Sequence, residues 1–199
     1  MERSTEERIL EAAKKVFLTK GMAGARMQDI ADEAGINKAM LHYYFRSKEK
    51  LFEEIFRQVS GQLMPRINQL LEADLPLFEK IYFFCEEYIE RMLQNPFIPL
   101  FLVNEANVQQ GEFLEKHWGN QRPNLRMFAD QVEREAAQGL IKPVHPMQLF
   151  LNMVSMCIFP FLSKPILQYV SGMEEDAFRQ LMAARKREIP QFIINSIRN

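Results

Sequence analysis

The side chains that could do chemistry in this sequence of 199 residues gather in one stretch. Lys38, His42, Tyr43 and Tyr44 stand close together, and Arg46, Lys48 and Lys50 follow with only Glu49 to offset their charge. Ammonium, imidazole and phenol groups donate to phosphate oxygens or base edges, and the uncharged Ala39 and Met40 can lie against a groove floor such as a thymine methyl. Elsewhere the inventory is thin. There is no glycine-rich phosphate loop, no G-x-S-x-G and no H-E-x-x-H. His117 beside Trp118 and His145 between prolines read as structural or exposed groups rather than metal ligands. Cys85 and Cys157, distant in sequence and each in an apolar run, read as buried free thiols, with redox sensing as the alternative. No constellation for catalysis is visible, and no cofactor or metal is expected.

These donors need a scaffold, and the flanking residues supply one. Met27, Ile30, Ala31 and Ala34 recur at helical spacing, and Gly35 ends that helix, since glycine takes the left-handed position without steric cost. Asn37 caps a second helix through Phe45 with Leu41 and Phe45 inward, and Ser47 caps a third from Lys48. A short helix, a glycine turn and another short helix form a helix-turn-helix unit. Upstream, Ser4 and Glu7 have capping-box spacing. Ile9, Ala12, Ala13, Val16 and Phe17 make one apolar stripe on a first helix that Gly21 is expected to close.

The order Asp29-Ile30-Ala31, Ala34-Gly35, then Tyr43-Tyr44-Phe45, Ser47-Lys48-Glu49 and Leu51-Phe52 resembles the DNA-binding domain of TetR/AcrR-type transcriptional regulators. It covers about the first quarter of the chain. The resemblance implies an all-α fold: an N-terminal three-helix helix-turn-helix DNA-binding domain over 1–52. A larger helical effector-binding and dimerisation domain of about nine helices follows over 53–199. It further implies a cytoplasmic homodimer, not an enzyme, that represses from a palindromic double-stranded operator and is released by a small molecule. Candidate DNA contacts are Arg26, Gln28, Asn37, Lys38, Ala39, Met40, His42, Tyr43 and Lys48.

Composition agrees with a local rather than global nucleic-acid surface, because 25 Lys and Arg against 26 Asp and Glu leave a net charge of −1. No apolar run reaches membrane-span length, so no membrane role is expected. From Lys48 an apolar face runs through Leu51, Phe52, Ile55, Val59 and Leu63, with a kink expected near Met64 from Gly61 and Pro65. Past Leu75, phenylalanine and methionine become dense. Helices are expected after Pro76, over Ile98–Trp118 with Gly111 and Gly119 as weak points, over Arg122–Gly139, over about Met147–Leu162 with Pro160 and Pro165 ending or bending it, and from Glu174 to the end. An apolar or aromatic effector would sit among Phe83, Phe84, Tyr88, Met92, Phe101, Trp118, Phe128 and Met153, the same residues that a plain helical core would use. Phe150, Val154, Phe178, Met182, Arg185, Ile189 and Phe192 are the expected dimer interface, because the helix after Pro146 is apolar nearly all round. A helical protein that binds or transforms small molecules without touching DNA is the competing reading; the outward Lys38, Met40, His42 and Tyr43 would have no use in it.

Overall fold

The structure, a computed structural model, describes residues 4–108, 112–118 and 122–199. Among them are eleven helices. The head holds α1 (Thr5–Gly24), α2 (Met27–Ala34) and α3 (Lys38–Tyr44), and α4 (Lys48–Glu72) leaves it. The body holds α5 (Leu77–Gln94), α6 (Ile98–Val108), α7 (Glu112–Trp118), α8 (Leu125–Ala137), α9 (Pro146–Leu162), α10 (Lys164–Ser171) and α11 (Glu175–Ile197).

Local chemistry explains most boundaries. Ser4 and Glu7 exchange backbone and side-chain hydrogen bonds at 2.9 and 3.2 Å, a capping box that starts α1. At α2 the Arg26 N–H donates to the Asp29 carboxylate at 3.1 Å. Asn37 accepts from Met40 N at 2.7 Å, and Ser47 from Lys50 N at 3.2 Å, which starts α3 and α4. Pro146 occupies the first turn of α9, where its missing N–H costs nothing. One expectation needs correction. α1 does not close at Gly21 but runs to Gly24, until Ala25 enters the head core. The single helix expected over Ile98–Trp118 is described as α6 and α7; Gly111 and Gly119, read as its weak points, lie outside the described residues. α9 runs through Pro160 to Leu162, the end expected for it. Proline removes the donor for the Met156 carbonyl, and Arg185 Nη2 donates to that oxygen instead, at 2.9 Å. The bend comes one step later, where α9 meets the unforeseen α10 at 68°.

Two apolar cores result. The head core contains the whole α1 stripe together with Ile30, Ala31, Ala34, Leu41, Phe45, Leu51 and Phe52. It does not stop at residue 52: Ile55, Phe56 and Val59 belong to it, as do Ile98, Phe101 and Phe113 from α6 and α7. The body core begins on the same α4 at Leu63 and gathers α5, α8, α9 and α11. α4 is therefore a single rod with one half in each core. Between α4 and α5, the ammonium of the buried Lys80 donates to Leu71 O at 2.8 Å and so satisfies a carbonyl of the last turn of α4. No single helix among the described residues is long and apolar enough to cross a membrane; only the bent pair α9–α10 passes that test by length and composition.

Candidate nucleic-acid interface

The head is braced so that one face of α3 stays bare. Gly35 adopts φ 65°, and the Ile36 N–H reaches back to Ala31 O at 3.0 Å, the bond that closes a helix on a left-handed residue. From α1, Arg8 donates to Ala34 O at 2.7 Å, Lys15 pairs with Glu33 at 2.9 Å and Lys20 with Asp29 at 2.8 Å. These ties hold α2 against α1, and Leu41, fully buried, locks α3 beneath them. The opposite side of α3 carries Lys38, Ala39, Met40, His42 and Tyr43, all exposed, Tyr43 by 84%. Tyr43 and Tyr44 meet edge to face at 5.4 Å, which orients the outer phenol without covering it. His42 Nδ1 lies 3.2 Å from Arg46 O. The carbonyl can only accept, so Nδ1 carries the proton and Nε2 is left as an outward acceptor in the neutral ring.

The remaining expected contacts are placed differently. Arg26 is exposed at the start of α2, and Gln28, also exposed, donates to Asp32 at 2.7 Å. Asn37 is engaged by its cap. Lys48 is half-buried and its ammonium donates to Ala25 O at 3.2 Å, tying α4 to the α1–α2 turn.

In the body, the expected pocket between α4–α5, α6–α7 and α8 is nearly closed. The cavity there has a volume of about 20 Å³, room for about one water molecule. Of the expected lining, it brings together Tyr88, Met92 and Trp118. Phe84, Phe128 and Met153 are buried elsewhere in the body core. Phe101 belongs to the head core, its ring 3.7 Å from Phe52, and Phe83 is 49% exposed on the outside of α5. Sequence reading missed the α4 row Phe56, Ser60 and Met64, which also lines the cavity. Its spacing of four was visible beside the stripe at Ile55, Val59 and Leu63. Beside the cavity, His117 packs between the rings of Phe56 and Phe113 at 5.6 and 4.4 Å, and its Nε2 is buried without a hydrogen-bond partner among the described residues. Burial, with Lys116 next to it, holds its pKa below the ordinary value.

The expected dimer residues also need correction. Phe178, Met182 and Ile189 are buried in the core of their own chain, and Arg185 is bound to α9. Phe150 and Val154 are half-buried against that core. Of the set, Phe192 is the one that stands free, 63% exposed. The two thiols, remote in sequence, lie side by side: hydrogen bonding with Cys85, then burial, pushes the Cys157 thiol well above the usual range. The Cys157 thiol therefore stays protonated and inert.

A bare helix face over a glycine-turned helix pair is what a major groove accepts, and sequence comparison agrees. Residues 9–55 match the signature described as "Bacterial regulatory proteins, tetR family". The chain is 30% identical over 171 residues to the HTH-type transcriptional repressor NicS of Pseudomonas putida, covering 78% of this chain and 74% of that one. This chain belongs to the TetR family. It is a DNA-binding transcriptional regulator, not an enzyme. A second relative of this TetR-family regulator is the HTH-type transcriptional repressor KstR2 of Mycolicibacterium smegmatis, 27% identical over 144 residues, or 70% of this chain and 69% of that protein. In three dimensions it resembles the ketosteroid transcriptional regulator KstR2 of Mycobacterium tuberculosis, with a TM-score of 0.72 at 18% identity over 100% of this chain and 97% of the other.

Proposed function

We propose that this TetR-family regulator is a cytoplasmic homodimeric repressor that binds a palindromic operator and leaves it when an apolar or aromatic small molecule binds the body. Residues 1–52 act as the DNA-binding domain and residues 53–199 as the effector-binding and dimerisation domain. The observation that carries the DNA reading is the outer face of α3, where Lys38, Met40, His42 and Tyr43 are exposed while Leu41 anchors the helix. Lys38, Met40 and His42 lie near bases; Arg26, Gln28, Tyr43 and Lys48 flank them towards the phosphates. Repression is supported by the two relatives named as repressors. Dimerisation is supported by large apolar side chains left uncovered on α9, α10 and α11: Leu151, Phe159, Tyr169, Val170, Leu181 and Phe192. Soluble chains rarely expose so many together without a partner, and a two-fold axis through this face would present two α3 helices to two half-sites.

The test is binding to the DNA upstream of the protein's own gene, at fixed salt. Changing Lys38, His42 and Tyr43 together to Ala abolishes specific binding. Tyr43→Phe weakens every sequence about equally, whereas Lys38→Ala costs about 1–3 kcal/mol at matched sites and relaxes the preference. Unchanged operator affinity in the triple variant would remove α3 from the interface.

A further inference from the structure

The cavity between the two cores is lined by two hydrogen-bond donors that have no partner among the described residues, one of them fully buried. The indole Nε1 of Trp118 is buried and has no partner among the described residues. Tyr88, its ring stacked on Phe84 at 5.4 Å, has no hydrogen bond from its hydroxyl among the described residues either. Burial lifts the phenol above its ordinary pKa, so the hydroxyl keeps its proton. Both side chains line the same space. The third polar side chain there, Ser60, turns its hydroxyl to Arg57 O at 3.4 Å, and among the described residues the remaining wall is apolar, with no charged side chain. Buried donors are normally satisfied, and leaving one bare is costly. The buried, bare indole N–H, with the half-buried Tyr88 hydroxyl on the same cavity, points to something that accepts.

We propose that this cavity opens to take a neutral, mainly apolar molecule bearing one carbonyl-type oxygen, to which Trp118 Nε1 and the Tyr88 hydroxyl both donate. This rests on the effector reading above and narrows its chemistry. A carboxylate or phosphate is disfavoured because no cation among the described residues lines the space to offset its desolvation. An ammonium is excluded because the indole can only donate. The size of the void sets the regulation. At about 20 Å³ it is far below the roughly 300 Å³ of an occupied ligand site, so binding forces the walls apart. Those walls are Val59, Ser60, Leu63 and Met64 of α4 on one side and Trp118 of α7 on another. Val59 is head core and Leu63 is body core. A ligand entering here wedges α4 where it passes from one core to the other, and the displacement reaches α3 through a single helix.

Trp118 is the only tryptophan in the chain, so its emission reports the site directly. The probes are ketone and hydrocarbon pairs of matched ring size: cyclohexanone with cyclohexane, cyclooctanone with cyclooctane, and cyclododecanone with cyclododecane. They are added to the full-length protein and read by Trp118 fluorescence and by thermal shift. At least one ketone shifts the emission and raises Tm, and binds at least tenfold more tightly than its hydrocarbon. Tyr88→Phe and Trp118→Phe, read by thermal shift after each is shown to melt cooperatively, each lose most of that preference. Equal binding of ketone and hydrocarbon, a preference that survives both substitutions, or no binding by any ring overturns the proposal, the last outcome leaving a single bridging water as the acceptor. Ketone binding with the predicted preference but unchanged operator affinity leaves the site standing and removes the effector-release reading instead.

Discussion

At the scale of single residues, the fold depends on side chains that repair backbone gaps. Pro160 strips Met156 O of its helical donor, and Arg185 replaces that donor from a different helix. The exchange is imperfect, since Arg185 Nε is buried without a hydrogen-bond partner among the described residues. Removing the guanidinium strands the carbonyl, so Arg185→Leu should cost about 1–3 kcal/mol in urea unfolding. In a Pro160→Ala background the helix provides its own N–H, and the same substitution should cost clearly less. Equal costs in both backgrounds would show that the pairing does not matter, because a double-mutant cycle isolates this coupling. Lys80 acts similarly on Leu71 O, its pKa lowered chiefly by burial.

At the scale of elements, α4 and α7 form the joint between head and body. His117 of α7 lies against Phe56 of α4, and burial, with help from Lys116, Lys50 and Arg57 and against Glu53, depresses its pKa below the ordinary value of 6.5. The unfolded chain therefore binds a proton at a higher pH than the folded chain does. Stability from the neutral ring is complete above the unfolded value and is lost as pH falls below 6.5 towards the folded pKa. Tm should fall between about pH 7.5 and about pH 5.5, and His117→Gln should make that fall shallower. An identical slope in the variant would place the sensitivity elsewhere; exposed His42 and His145 are present in both proteins and cancel.

At the scale of the whole molecule, α11 presents two apolar sides, and their fates differ. Phe178 is buried with Phe161 6.0 Å away, whereas Phe192 is exposed. Phe192→Glu should leave a folded chain whose mass in light scattering halves at micromolar concentration, with operator binding weakened because two heads no longer bind as one. Phe178→Glu should instead unfold the body, since losing a buried phenylalanine costs about 3–5 kcal/mol before any charge is added. A Phe192→Glu protein that remains dimeric would move the subunit interface off this face.

What the sequence determined by itself is local. The capping pairs Ser4–Glu7, Asn37–Met40 and Ser47–Lys50, the left-handed Gly35 and the α1 stripe depend on neighbours within four or five residues, and they stand where the spacing put them. The outer face of α3 follows from Leu41 being its one inward anchor. Tertiary structure decided whatever had two local answers. α11 carries apolar residues on both sides, and only packing on α5 and α9 chose Phe178, Met182 and Ile189 for the core and left Phe192 outside. Pro160 could end or bend α9 by local rules alone, because its substitute donor, Arg185, lies 29 residues past the carbonyl it serves. Phe101 looked like a pocket wall until α6 folded back and set it on Phe52. Periodicity tells which residues share a helix face; which face another helix covers depends on contacts between residues far apart in the chain.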